Sequence, residues 1–442
     1  MQTIAAPITP LIRSAIILVR VSGAEAVKIL KFLRHTDSSP HSLPDHGKVY
    51  HAMFDNGDVR DDVLFYYFKS PKSYTGEDVI EISFHGNPLI VKSALASFLK
   101  EGIRYAEPGE FTKRAFLNGK MDLSQAEAVE EMISAKSEAG LFYTYNQLRG
   151  GLRRDVEILK DLYIDALTLV EAYIDFPEED LSEKAITHAG DLYAQIGANL
   201  RSVIQGYNAL KSVNDTVVLS IIGRPNVGKS SVMNYMLKEN RAIVSDTPGT
   251  TRDYIDAEMV VGSHPVQLVD TAGIRRTDDC VEQAGIERSL ERARGSHIVI
   301  LLLDLSDELY EDDLELLKST ADRKRIIVGN KLDKKAYEHS TDINISVKTG
   351  ENFHEFTNLL DEAVSSEDPE IYEHAVAVNE RQKNGFVKML NTLENAQSLG
   401  FEDLDALAFE LRDSLNVLSE ITGETYTEDI LANIFSSFCI GK

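Results

Sequence analysis

No stretch of this chain limits its fold more than Gly223-Arg224-Pro225-Asn226-Val227-Gly228-Lys229-Ser230. The apolar run from Thr216 to Ile222 leads into it, and Ser231 to Leu237 reads as a helix behind it. A strand, a G-x-x-x-x-G-K-[ST] loop and a helix, in that order, are the context that makes the pattern a phosphate site. The loop's N–H groups and the positive end of the helix then point at phosphate oxygens. Lys229 reaches the β/γ-phosphates, and the Ser230 hydroxyl takes one Mg²⁺ position. Taken alone, the same letters also suit a Gly-rich turn with an incidental Lys.

Three downstream stretches argue against that bland alternative. Val266 to Val269 predicts a short strand ending in Asp270-Thr271-Ala272-Gly273, where Asp270 can hold the Mg²⁺ shell and the Gly273 amide can face a γ-phosphate. The run Ile298 to Leu305, apolar but for Asp304, predicts a buried strand, and Arg325 to Gly329 leads into Asn330-Lys331-Leu332-Asp333. A carboxylate at Asp333 can accept two hydrogen bonds from a guanine edge, which adenine does not offer, so the expected nucleotide is GTP. Ile343 to Ser346 gives a last strand, with Ser346, Val347 and Lys348 as a second support for the base. Motifs at the ends of successive strands fit a doubly wound sheet that binds its ligand at the strands' carboxyl ends. The expected contacts are Asn226, Val227, Gly228, Lys229, Ser230 and Ser231; Ser245, Asp246, Thr247, Pro248, Gly249, Thr250 and Thr251; Asp270, Thr271, Ala272 and Gly273; Asn330, Lys331 and Asp333; and Ser346, Val347 and Lys348. The Thr251 hydroxyl is the second expected Mg²⁺ ligand beside Ser230.

Composition excludes some partners. With 46 basic against 71 acidic residues the net charge is -25, which argues against coating nucleic acid through a general positive field. Any RNA must be met by a local patch. Two cysteines, Cys280 and Cys439, make no disulfide framework and suit a reduced cytosolic protein. The start of the sequence lacks a basic, then apolar, leader pattern, and no apolar run approaches the ~18 residues of a membrane span. The expectation is a soluble, untargeted, cytoplasmic protein with no membrane partner.

In chain order, residues 1–118 alternate strand-like runs (Ala15 to Val21, Val63 to Phe68, Val79 to Phe84) with helical spacing (Gly23 to Leu33, Pro88 to Leu99), predicting an α+β domain. Two polar segments, Ser73 to Glu81 and Glu107 to Lys120, read by composition as loops. From Asp122 the pattern turns helical, with Ser124 as the expected cap. Helical spacing runs from about Leu141 through Ile174, interrupted at Gly150-Gly151, and returns from Ala185 to Leu210, Asn379 to Leu399, Leu404 to Leu418 and Thr427 to Phe438. The expected domains are α+β (1–118), helical (119–213), α/β GTPase (214–370) and helical again (371–442). The two helical parts are expected to form one body into which the GTPase is inserted.

Two needs of hydrolysis stay open on these residues. Small signalling GTPases orient the attacking water with a Gln directly after Asp-x-x-Gly, where this chain has Ile274. Glu282 lies in the following segment, equally compatible with a solvated surface role. Positive charge for the transition state can come from Arg252, Arg275 or Arg276, or from a monovalent cation held by the Asn226 amide oxygen.

The order of these regions, with Gly249-Thr250-Thr251-Arg252-Asp253 in the GTPase and Cys439-Ile440-Gly441-Lys442 at the end, resembles the MnmE (TrmE) family of tRNA uridine-modification GTPases. Tyr74 to Glu81, Pro108 to Gln125, Ile174 to Asp180 and Ile421-Thr422-Gly423-Glu424 carry the likeness most specifically. The resemblance implies a homodimer joined by the N-terminal domains and an FAD-dependent MnmG-type partner. With that partner it implies an aminomethyl-type group placed on C5 of the wobble uridine of certain tRNAs. It implies a tetrahydrofolate derivative, 5-formyl or 5,10-methylene, as one-carbon donor, contacted by Arg20, Glu81, Lys120 and Lys442. It further implies K⁺ held at Asn226, Ser245, Thr247 and Thr250 in place of an arginine finger, and Glu282 as catalytic glutamate acting through a bridging water. The sequence departs from the family at Pro10-Leu11-Ile12-Arg13-Ser14-Ala15, where Pro-Gly-Arg-Gly-Gly is usual, and at His85-Gly86-Asn87, where His-Gly-Gly is usual. Cys439 reads equally as a small buried thiol or a participant in chemistry. The rival readings are a ribosome-assembly GTPase and a regulatory GTPase without folate chemistry.

Overall fold

The computed structural model describes residues 1–35, 43–176, 183–214, 216–239, 256–262, 264–270, 295–365, 378–399 and 403–442. It divides into two compact units, one of Met1–Ile133, Asn146–Arg201 and Arg381–Lys442, the other of Ser134–Tyr145 and Ser202–Glu380.

The first unit begins with a seven-stranded sheet built from β1 (Ile4–Pro7), β2 (Ile16–Ser22), β3 (Leu33–His35), β4 (Val49–Asp55), β5 (Arg60–Phe68), β6 (Val79–His85) and β7 (Arg104–Tyr105). Their order is β3-β4-β5-β6-β2-β1-β7, antiparallel except for the β1–β7 pair. Alternation places Val63 and Phe65 of β5, Ile80 and Ile82 of β6, and Ile17 and Val19 of β2 on one buried face. The helix Pro88–Lys100 covers it with Val91, Ala94, Leu95 and Phe98. The opposite face carries Arg20 and Glu81, direct neighbours across β2 and β6.

The helical spacing from Gly23 to Leu33 is met by a 3₁₀ helix, Ala26–Phe32, which buries Ala26 and Ile29; one apolar side chain every third residue matches its three-residue turn. Sequence expectations fail here in two places. Glu107 to Lys120 is no loop, since Glu110–Leu117 is a helix that buries Phe111, Ala115 and Phe116. Its charged letters mislead because Arg114, 2% exposed, is paired inside with Glu77 at 2.9 Å and Glu110 at 2.8 Å. Ser124 does not cap the next helix, Leu123–Ser134. Asp122 does: its Oδ1 accepts from the Gln125 N–H at 2.9 Å while Gln125 Oε1 accepts from the Asp122 N–H at 3.0 Å. That reciprocal pair is a capping box, and Ser124 only donates its hydroxyl to Asp122.

Helices Glu138–Leu148, Gly151–Asp175 and Glu183–Asn214 follow; after the second unit come Glu380–Leu399, Leu404–Thr422 and Glu428–Ser436. Early and late segments share one core, where Phe116, Leu123 and Ala126 meet Leu431, Phe435 and Phe438. A buried polar knot joins them again: Glu127 accepts from Arg381 at 2.8 Å through both carboxylate oxygens, and from Gln382 at 2.6 Å.

The second unit holds a six-stranded sheet of β8 (Val217–Ile222), β9 (Asp256–Val261), β10 (His264–Asp270), β11 (Ile298–Asp304), β12 (Arg325–Asn330) and β13 (Ile343–Asn344). The order is β13-β12-β11-β8-β10-β9, all parallel except the edge strand β9. Every residue of β11 is buried, as a central parallel strand covered on both faces requires. Lys229–Glu239 and Phe353–Val364 cover one face, and Leu316 of Glu311–Ser319 covers the other.

Candidate nucleotide-binding site

The carboxyl ends of β8, β12 and β13 meet around a cavity of about 440 Å³ lined by Asn226, Gly228, Ser231, Asn330, Lys331, Asp333, Lys334, Val347 and Lys348. The glycine loop leaves β8 and runs into the helix Lys229–Glu239, so the helix's first N–H groups open on this cavity. Asn226 stands at φ 65 and Gly228 at φ 102. A Cβ at Gly228 would collide with Asn330 Nδ2, so glycine is required by both conformation and space. Lys229 Nζ spans the loop, donating to the Gly223 and Arg224 carbonyls at 2.8 Å each.

The segment after β12 is tied to that loop and to the last strand. Asn330 Nδ2 donates to the Val227 carbonyl at 2.8 Å. Asp333 Oδ1 accepts from the fully buried Ser346 hydroxyl at 2.9 Å, which fixes the carboxylate while its other oxygen stays near Lys348 at 3.9 Å. Lys331, at φ 67, pairs with Asp304 at the end of β11. Burial works to raise the Asp304 carboxyl, but hydrogen bonds from Lys331 and Ser306 outweigh it and hold it below the ordinary carboxylate range. A fixed acceptor at Asp333 opposite an N–H-rich loop can bind a base that offers two donors at one end and phosphates at the other. Lys334 also lines the cavity and was not among the expected contacts. Its place directly after Asp333 is the only sequence signal for it.

Thus Asn226, Val227, Gly228, Lys229, Ser230, Ser231, Asn330, Lys331, Asp333, Ser346, Val347 and Lys348 lie in or beside one site. Asp270 closes β10. Ser245, Asp246, Thr247, Pro248, Gly249, Thr250, Thr251, Thr271, Ala272, Gly273 and Glu282 lie outside the described residues.

A second cluster sits on the outer sheet face of the first unit. Arg20 Nε donates to Glu81 Oε1 at 2.7 Å, and its guanidinium lies 4.9 Å from the Tyr74 ring and 5.3 Å from that of Phe111. The Tyr74 hydroxyl pairs with Thr112 at 2.9 Å, and burial pushes its pKa up. The Phe111 N–H donates to the Lys442 carbonyl at 3.0 Å, beside a β-bridge between Pro108 and Ile440. Lys120 Nζ donates to the Pro71 carbonyl at 3.0 Å, in the loop that bears Tyr74. Cys439 is exposed, which removes the buried-thiol reading.

One of the two family departures has a local reason. Asn87 caps the helix Pro88–Lys100, its side chain accepting from the Leu89 N–H at 3.0 Å. Gly86 and Ser14 face each other so closely, with the Ser14 N–H donating to the Gly86 carbonyl at 3.1 Å, that a Cβ at 86 would strike the Ser14 backbone. His85 ends β6 exposed, its Nδ1 2.6 Å from the buried Asp61 carboxylate.

The family model described as the GTP-binding protein TrmE N-terminus matches residues 3–120, and that described as the MnmE helical domain matches residues 123–439. The protein named tRNA modification GTPase MnmE from Thermotoga maritima is 40% identical over an alignment of 461 positions, covering 100% of both chains. Its namesake from Aquifex aeolicus is 38% identical, again covering 100% of both, and that from Clostridioides difficile is 37% identical, covering 100% of this chain and 99% of its own.

Proposed function

The chain belongs to the MnmE family of tRNA modification GTPases, and from that premise we propose that its GTP hydrolysis drives modification of C5 of the wobble uridine in certain tRNAs. The observation that carries the nucleotide half is the Asp333 carboxylate, oriented by Ser346 in the same cavity as the Asn226–Gly228 loop. Asp333 binds guanine, the loop amides and Lys229 bind the phosphates, and Asn330 keeps those two parts in register through the Val227 carbonyl.

Mg²⁺ fits the Ser230 position, on the first turn of the helix behind the loop, with Thr251 as its second protein ligand. K⁺ fits Asn226, whose left-handed backbone holds it on the cavity wall, with Ser245, Thr247 and Thr250 completing the set. The two cations supply positive charge to the phosphates when bound. Glu282 positions water, acting chiefly in the transition state.

In the first unit, Arg20 and Glu81 present a guanidinium–carboxylate pair between two aromatic rings, a donor set that suits the polar ring edge and flat face of a tetrahydrofolate. Lys120 and Lys442 provide positive charge for its glutamate tail. That cofactor, 5-formyl or 5,10-methylene, supplies a one-carbon unit. The chain acts as a homodimer through its N-terminal domains, with an FAD-dependent MnmG-type partner, on tRNA, in the cytoplasm. The inserted arrangement of the GTPase, residues 214–370 between helical parts 119–213 and 371–442 behind an α+β domain at 1–118, transmits nucleotide state to the helical body.

The deciding experiment is complementation of cells lacking their own such protein, followed by nucleoside analysis of bulk tRNA. C5-aminomethyl-type uridines return with the unaltered chain and not with Asp333→Ala. Absence of the modified nucleoside despite a folded, GTP-hydrolysing protein would overturn the modification reading. Titration with 5-formyltetrahydrofolate, beside Arg20→Ala, tests the folate cluster separately: no binding by the unaltered chain would overturn it.

A further inference from the structure

Arg224 occupies a variable position of the phosphate loop, and phosphate binding asks nothing of its side chain. A long cation at a loop surface ordinarily extends into water. Here the side chain is only 15% exposed. Its Nε lies 2.9 Å from Oδ2 of Asp313, itself 1% exposed, and its Nη2 lies 3.5 Å from Asp307. The guanidinium carbon sits 4.1 Å from the centre of the Tyr310 ring, within cation–π range.

Those partners are held in turn. Asp313 Oδ2 accepts from the Tyr310 N–H at 3.1 Å, closing the first turn of the helix Glu311–Ser319. His339 Nε2 lies 2.9 Å from the Asp307 carbonyl and 3.1 Å from that of Asp304. Carbonyls only accept, so that nitrogen carries the proton. Asp304 is the partner of Lys331. At the loop end, the carbonyl of Arg224 and that of Gly223 are the acceptors for Lys229 Nζ. Moving the Arg224 backbone therefore moves the two atoms on which Lys229 rests.

We infer that Arg224 is a positioning residue for GTP binding: its guanidinium, held by Asp313 and Tyr310, sets the backbone of the phosphate loop and so the place of Lys229. This rests on the nucleotide reading of the cavity. It acts on the ground-state site, so it moves affinity rather than the chemical step.

The test uses the full chain, with fluorescent N-methylanthraniloyl-GDP as the binding probe and GTP hydrolysis across substrate concentration. Arg224→Gln raises Kd and KM about tenfold while kcat at saturation stays within about twofold. Arg224→Lys, which keeps charge but loses the planar fork, falls between. Asp313→Asn weakens binding comparably, and the double variant binds no worse than the weaker single one, because the pair acts as a unit. A Kd for Arg224→Gln within about twofold of the unaltered chain, or fully additive losses in the double variant, would overturn the role. Should Arg224→Gln fail to fold by circular dichroism, Tyr310→Leu carries the test, removing the half-exposed ring alone; its Kd rises about threefold, and no rise overturns the proposal. Failure of the unaltered chain to bind the probe would instead overturn the nucleotide reading.

Discussion

At Gly228 one hydrogen atom in place of a methyl group decides whether the loop can exist. Both its φ of 102° and the nearby Asn330 amide exclude a side chain. Gly228→Ala is expected to abolish measurable guanine-nucleotide binding, read by isothermal titration, while the far-ultraviolet spectrum stays intact; retained affinity would show that Asn330 can move aside at little cost. Asp304 makes a pH prediction. Its carboxyl is depressed from 3.8 in the fold, so it contributes stability that is fully present above that value and lost as pH falls through its lowered one. Asp304→Asn is therefore expected to lower the thermal midpoint at neutral pH, with the gap to the unaltered chain closing below about pH 4. A gap that stayed constant down to pH 3 would mean that the Lys331 pair contributes nothing through charge.

At the scale of elements, the helix Leu123–Ser134 depends on a cap three residues from its partner. Asp122→Ala removes the acceptor for the Gln125 N–H and is expected to cost about 1 kcal/mol, measured by urea unfolding of the first unit. Ser124→Ala removes a buried hydroxyl that donates to the same Asp122 Oδ1 at 2.6 Å, so it too is expected to cost about 1 kcal/mol, through the carboxylate's orientation rather than through a lost cap acceptor. Both cap candidates stand in the sequence; what selects Asp122 is Gln125, a reciprocal signal that a single-residue cap rule overlooks. Most long elements were readable from period and punctuation: β11, apolar up to Asp304, the glycine break at Gly150, and the helices after Asn379. Glu110–Leu117 was not, because its pattern is completed by a buried Arg114 whose partners, Glu77 and Glu110, satisfy it only in three dimensions. The same reason hid Arg224, whose role depends on a helix that begins more than eighty residues later. The phosphate loop and the Asn330–Asp333 segment were legible because each is a contiguous string; the cluster around Arg20 was not legible from spacing, since Arg20, Tyr74, Glu81 and Phe111 are joined by strand pairing and ring contact.

For the molecule as a whole, the first unit is made of three stretches of chain, and residues from the first and last are bound together by Glu127 and Arg381. Arg381→Met leaves a carboxylate that is 7% exposed without its cation. The expected loss is about 1–3 kcal/mol in the first unit, seen as a lowered melting transition, with guanine-nucleotide affinity unchanged. An unchanged transition would mean that Gln382 alone satisfies Glu127. A related feature governs how the protein is made. Part of the surroundings of residues 107–111 comes from pairing with 439–442, and part of those of Phe116 and Leu123 from meeting Leu431, Phe435 and Phe438. On the ribosome, then, the opening sheet emerges early but waits, one side unfinished, through the synthesis of an entire second unit. A chain interrupted late in translation would carry a sound phosphate loop and an open wall beside Arg20. Quality control that sensed the exposed apolar surface at Phe116 could tell it from the finished protein.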